Sequence, residues 1–150
     1  MKERKPAKEF IAVLDFGGQY NQLIARRIRE AGVYSEVIPC NTPFSDYVGP
    51  ELKGIILTGG PNSVYAPDAL RCSKEVFSLG VPVLGICYGM QLMAHMLDGK
   101  VQAASIPEFG FTDMSVKEHP LFDGIARETV VWMNHNDYVS ELPTGFVSIA

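Results

Sequence analysis

The run Val81-Pro82-Val83-Leu84-Gly85-Ile86 leads without a break into Cys87-Tyr88-Gly89-Met90-Gln91. An apolar strand, then Gly-x-Cys-x-Gly, then a helix is the cysteine form of a nucleophile elbow. Such a turn holds its central residue in a strained backbone and pushes the side chain out toward a substrate. The flanking glycines are required because a Cβ on either side would crowd the turn. A helix starting there aims its free N–H groups at the sulfur and at any charge that develops on it. A cysteine that merely fills a core needs none of this, so Cys87 reads as a nucleophile.

The rest of the chain repeats the strand half of that pattern. Phe10 to Phe16 is apolar apart from Asp15 and ends in Gly17-Gly18. Tyr34 to Ile38 is a short second strand, and Gly54 to Thr58 a third that ends in Gly59-Gly60. Between the first two, Leu23, Ile24, Ile28 and Ala31 recur at helical spacing, with Arg26, Arg27 and Arg29 on the wet side and Gly32 as the stop. Leu70 to Leu79 reads as another helix, and Tyr88 to Leu97 as the elbow helix. Strand–helix–strand units at this spacing make an α/β fold with an open, doubly wound parallel sheet of flavodoxin-like type. Ligands in such sheets bind beyond the carboxyl ends of the strands. The three glycine-bearing turns are therefore expected around one pocket.

After Lys100 the pattern changes to a small antiparallel excursion over Val101 to Val116, with further strands expected at Val130 to Met133 and Phe146 to Ile149. Residues 1–9 read as an exposed leader and 10–150 as a single domain. Because the apolar run at Phe146 to Ile149 abuts Ala150, that domain is expected to continue beyond it.

Composition closes off some classes. A net charge of −4 and a pI near 5.3 argue against a nucleic-acid or membrane-surface partner. No apolar run approaches the roughly 20 residues needed to cross a bilayer. Three cysteines (Cys40, Cys72 and Cys87) form neither an even set nor a CxxC pair. This points to no metal site and to a reducing, cytoplasmic setting.

A cysteine nucleophile needs an oxyanion hole, a substrate anchor and a base. The Tyr88 N–H adjoins the nucleophile and offers one oxyanion donor. The Thr58-Gly59-Gly60-Pro61 turn offers the second. Gln91 lies one helical turn past Cys87 on the same face and could hold a polar substrate. Among the three histidines, His95 reads as a packed helix residue and His119, before Pro120, as a loop residue. His135-Asn136-Asp137 imitates a base oriented by a carboxylate.

Taken together, Gly85-x-Cys87-x-Gly89-x-Gln91 and the upstream Thr58-Gly59-Gly60-Pro61 resemble the class I, or triad, glutamine amidotransferases. The stretches Leu14-Asp15-Phe16-Gly17-Gly18-Gln19-Tyr20, Gln22 to Arg27 and Trp132-Met133-Asn134-His135 are similar to the same family, so the resemblance runs from Phe10 onward. It implies that Cys87 attacks the side-chain amide of glutamine and forms a γ-glutamyl thioester, releasing ammonia. Gly60 and Tyr88 would be the oxyanion donors, and Gly59 and Gln91 would contact the substrate. Asn134, His135, Asn136 and Asp137 would recognise the amino-acid end of glutamine, which takes His135 out of the base's role. The family's His-x-Glu pair is not found among these residues and is expected beyond Ala150. Asn136 stands where a glycine is common.

The resemblance further implies an ATP-pyrophosphatase (synthetase) partner region that uses the ammonia, with Mg-ATP there and no cofactor in this chain. The Ser-Gly-Gly-Val-Asp-Ser phosphate loop of such a region is absent here. The alternative reading is a catalytically silent module that senses glutamine or docks a partner.

Overall fold

The computed structural model describes residues 8–150, with backbone alone at Phe44, Ile106 and Pro107. The leader expected over 1–9 thus lies, up to residue 7, outside the described residues.

Four strands form one parallel sheet: β1 (Phe10–Asp15), β2 (Tyr34–Pro39), β3 (Leu52–Leu57) and β4 (Val83–Gly85). Their order is β2-β1-β3-β4, so the chain winds outward from β1 to β2 and then crosses back over β1 to build β3 and β4. The switch point falls between β1 and β3, whose carboxyl ends carry Gly17-Gly18 and Gly59-Gly60. The buried residues Ala12, Leu14, Ile55 and Leu57 come from these two central strands, and Phe16 follows directly on β1. Buried on both faces, they explain the unbroken apolar runs in the sequence. Thr58 is fully buried at the switch point, and its hydroxyl donates to the Leu14 carbonyl at 2.8 Å, tying the two strand ends together.

Helix α1 (Asn21–Glu30) returns the chain from β1 to β2. Its inward stripe is Asn21, Ile24, Ala25 and Ile28, at i, i+3, i+4 and i+7. Leu23 and Ala31, expected on that stripe, are exposed instead. Asn21 takes the inward place because its side-chain amide donates to the Asp15 carboxylate. On the wet side Arg26 and Arg27 pair with Glu30.

Helix α2 (Tyr88–Met96) follows the elbow and buries Tyr88, Gln91, Leu92 and Ala94. Of the expected methionine stripe, Met93 and Met96 pack on the core while Met90 is 42% exposed.

Two expected elements are corrected. Leu70 to Leu79 is not an α-helix: only Lys74–Ser78 forms a short 3-10 turn, capped by the Ser73 hydroxyl. The Leu70 carbonyl, which an α-helix would use at residue 74, instead accepts the Tyr88 hydroxyl at 2.6 Å. Packing against the elbow helix outcompetes local helix formation there. Phe146 to Ile149 forms no strand, although the Ile149 carbonyl accepts the Lys117 N–H at 2.8 Å.

The excursion after residue 100 is larger than its sequence pattern indicates. Strands β5 (Lys100–Ser115) and β6 (Glu128–Glu141) form a separate antiparallel pair. Its register slips between Ala103 and Glu108, next to the polar segment Asn134 to Asp137. No helix among the described residues is long and apolar enough to cross a membrane.

Candidate active site

The site is built where β4 turns into α2. Cys87 adopts φ 51°, ψ −113°, the left-handed side of the map where a non-glycine residue is strained. Its neighbours hold it there. The Ile86 N–H donates to the Leu57 carbonyl at 2.9 Å, and the Gln91 N–H to the Cys87 carbonyl at 3.1 Å. A Cβ on Gly89 would lie 2.2 Å from the Leu57 carbonyl oxygen, and one on Gly85 would lie 2.6 Å from the Met90 Cα. Only glycine lets the elbow helix approach the sheet this closely.

The turn after β3 forms the facing wall. A Cβ on Gly60 would fall 2.7 Å from the Phe16 carbonyl oxygen and 3.3 Å from the Tyr88 ring. At Gly59 the same atom would sit 3.7 Å from the Cys87 Cβ. The turn after β1 completes the surround. Gly17 has φ +83°, and its N–H donates to the Asp15 carboxylate at 2.7 Å.

Two concavities meet at Cys87. One, of about 180 Å³, is lined by Gly60, Pro61, Asn62, Ser63, Cys87, Gln91 and the β6 segment Asn134 to Asp137. The other, of about 480 Å³, is lined by the three glycine turns together with Tyr20, Ile24, Ile86 and Asn134. The three turns therefore do gather at one place, with the cysteine on the wall of both spaces.

The β6 segment is tied to the elbow helix. The buried Gln91 side-chain amide donates to the Asp137 carbonyl at 2.8 Å. His135 Nε2 lies 3.2 Å from the Glu108 carboxylate, while its Nδ1 is buried and has no hydrogen-bond partner among the described residues. Glu108 is a member of this environment that sequence reasoning missed, because its partner lies 27 positions away (135 − 108) on the opposing strand. Asn62 and Ser63 were also missed, although they directly follow the Gly59-Gly60 turn.

The remaining histidines stand apart from these spaces. His95 makes an edge contact with Tyr65 at 5.0 Å, and His119 Nδ1 accepts the Leu121 N–H.

The three thiols differ in environment. Cys87 is exposed, whereas Cys40 and Cys72 are buried. Burial pushes the Cys72 thiol up to about 11. It also raises Cys40, helped by the nearby Asp15 carboxylate. Tyr88 is raised by burial as well, so its phenol stays neutral and donates to Leu70. The accessible thiol is thus the one on the strained turn, between the glycine turns and a polar strand. That arrangement suits acyl transfer through sulfur.

A strained cysteine between two glycine turns has counterparts in known proteins. The Glutamine amidotransferase class-I family model matches residues 12–150. A GMP synthase [glutamine-hydrolyzing] of Clostridium novyi is 56% identical over 144 residues, which is 95% of this chain and 28% of that protein. One from Acetivibrio thermocellus is 55% identical over 143 residues, again 28% of its length. The chain thus spans little more than a quarter of these curated relatives. Among solved structures, that of a GMP synthase component from Thermoplasma acidophilum superposes with a TM-score of 0.73 at 32% identity. It covers 93% of this chain and 71% of that one. A glutamine amidotransferase of Thermotoga maritima, at 18% identity and TM-score 0.64, shares the fold. On the matched span and these identities, the chain belongs to the class-I glutamine amidotransferase family.

Proposed function

We propose that this chain is the glutaminase part of a GMP synthase, supplying ammonia for the amination of XMP to GMP. The observation that carries the reading is identity above 50% to glutamine-hydrolysing GMP synthases across 95% of the chain, with a strained, exposed Cys87 at its centre. Glutamine enters the smaller polar space with its amino-acid end against Asn134 to Asp137 and its side-chain amide over the sulfur. The Cys87 sulfur attacks the amide carbon, and the oxyanion is met by the N–H groups of Gly60 and Tyr88. The C–N bond then breaks, and ammonia leaves carrying the proton that the base took from the Cys87 thiol. Water hydrolyses the thioester to glutamate and regenerates the thiol. Gln91 acts from the helix, with Gly59 closing the wall beside the sulfur.

The base on this reading is a His oriented by a Glu, neither of them among residues 1–150. His135 is engaged with Glu108 through Nε2, and its other nitrogen has no partner among the described residues. By contrast, β4 is an edge strand of the described sheet, with Leu84 46% and Ile86 37% exposed beside Cys87. A further strand added at that edge would deliver an imidazole to the sulfur. The domain proposed over 10–150 would then include residues beyond it.

Ammonia passes to an ATP-pyrophosphatase region that binds Mg-ATP and adenylates the nucleotide. Three unpaired thiols suit a cytoplasmic enzyme.

The test is Cys87→Ala in the complete enzyme. Glutamine-dependent GMP formation should vanish while ammonia-dependent formation persists. Loss of both activities, or retention of the first, overturns the assignment.

A further inference from the structure

Strands β1 and β3 run parallel, with Leu14 opposite Leu57. At that rung the Thr58 N–H donates to the Leu14 carbonyl at 3.3 Å. A parallel ladder is evenly spaced and repeats at every second residue. Its next rung would set Phe16 opposite Gly59, sending the Phe16 N–H to the Thr58 carbonyl and the Gly60 N–H to the Phe16 carbonyl. Neither bond forms among the described residues. The Phe16 N–H goes instead to the Thr58 hydroxyl oxygen, at 3.4 Å. Gly60 meets the Phe16 carbonyl with its Cα side, since a Cβ there would fall 2.7 Å from that oxygen. The ladder thus stops one rung early, and no main-chain hydrogen bond among the described residues uses the Gly60 N–H.

The side chain of Thr58 makes that stop. Its one hydroxyl proton goes to the Leu14 carbonyl at 2.8 Å, which leaves the oxygen's lone pairs for the Phe16 N–H. The Leu14 carbonyl already has the Thr58 N–H, so the hydroxyl is not needed to satisfy it. The same hydroxyl lies 3.2 Å from the Gly59 carbonyl. That carbonyl also packs on the turn after β1, where a Cβ on Gly18 would collide with it. A trans peptide points its C=O and its N–H in opposite directions, and no described peptide is cis. Holding the Gly59 carbonyl against the β1 end therefore turns the Gly60 N–H away from it. Gly60 and Cys87 line the same polar space.

We infer that Thr58 is a positioning residue for the oxyanion hole: its hydroxyl ends the β1–β3 ladder and turns the Gly59–Gly60 peptide, so that the Gly60 N–H is kept for the oxyanion at Cys87. This rests on the function proposed above. Thr58 acts through Gly60 and lines neither space at Cys87. Valine has the same shape without the hydroxyl. With Thr58→Val the Phe16 N–H turns to the main-chain carbonyl at position 58, the ladder advances by one rung, and the Gly60 N–H is spent on the Phe16 carbonyl.

The experiment measures glutamine hydrolysis and ammonia-dependent synthesis in the complete enzyme, unsubstituted and carrying Thr58→Val, Thr58→Ser or Cys87→Ala. The rate at which iodoacetamide alkylates Cys87 is followed beside them. Alkylation uses the thiolate but develops no oxyanion, so it reports on the elbow separately. Thr58→Val should lower kcat for glutamine roughly a hundredfold, the usual cost of one oxyanion donor, with KM nearly unchanged. Cys87 alkylation and ammonia-dependent synthesis should hold, and Thr58→Ser, which returns a hydroxyl, should restore most of kcat. Undiminished kcat in Thr58→Val overturns the proposal. So does a rise in KM alone, which places Thr58 in binding, or a matching fall in Cys87 alkylation, which puts the damage at the elbow. A loss in Thr58→Ser as deep as that in Thr58→Val also overturns it, because packing of the methyl group then explains both. If Thr58→Val fails to fold, Thr58→Ala decides: a loss of kcat at constant KM supports the proposal, and unchanged kcat refutes it. If the unsubstituted enzyme releases no ammonia from glutamine, or Cys87→Ala releases it as fast, the functional reading itself fails, and the oxyanion hole with it.

Discussion

The parallel sheet and the β5–β6 hairpin are held in opposite ways. In the sheet, the central strands are buried on both faces and contribute residues with almost no exposure. In the hairpin, one face is exposed at every second residue and the other is only partly covered. The sheet fixes Cys87 by close backbone contact. The hairpin supplies polar groups from a strand that is covered on one face only in part. The candidate site therefore joins a closely packed half to a sparsely covered half through the Gln91–Asp137 hydrogen bond.

The contrast breaks most sharply at matched glycines. Gly89→Ala drives a Cβ into the Leu57 carbonyl and should lower stability by about 3 kcal/mol. Gly110→Ala, in the hairpin at φ +110° with nothing within 4 Å, meets only backbone strain and should cost about 1 kcal/mol. Urea unfolding midpoints compare the two, and equal losses would contradict the difference in packing. Next comes thiol chemistry. With Cys72 near 11 instead of 9.0, its thiolate at neutral pH is about a hundredfold scarcer. Its alkylation should climb with pH through that region. Iodoacetamide at pH 8 should therefore label Cys87 first, read by peptide mass mapping, and equal labelling of Cys72 would show that the sheet half opens readily. A change of opposite sign is expected at the elbow. Cys87→Gly removes the left-handed strain and should raise stability by about 1 kcal/mol while abolishing glutaminase activity. Thermal unfolding checks the first part, and a loss of stability would mean that the turn is not strained.

Much of the closely packed half is legible in the residues. Three apolar runs ending in glycine turns define β1, β3 and β4, and Gly85-x-Cys87-x-Gly89 marks the turn where a side chain must be presented. Local physics dominates there: fully buried parallel strands need unbroken apolar runs, and tight turns need glycine. Leu70 to Leu79 misleads because its helical spacing is outcompeted by a hydrogen bond to Tyr88, a partner far along the chain. Leu23 misleads because the inward place on its helix goes to Asn21, held by Asp15. The hairpin is hardest to read. Its long strands look short and mixed, since alternation on a half-covered pair leaves no continuous apolar signal.

By itself, then, the sequence marked the apolar runs of the sheet and the glycine-flanked elbow at Cys87, because each is a pattern within a few residues. The resemblance already set Asn134 to Asp137 at the substrate of Cys87; tertiary structure alone decided that Glu108 pairs with His135, and that Phe111 and Trp132 stand together in the open. These depend on the register between β5 and β6, which is set by pairing over long chain separations that local patterns do not encode.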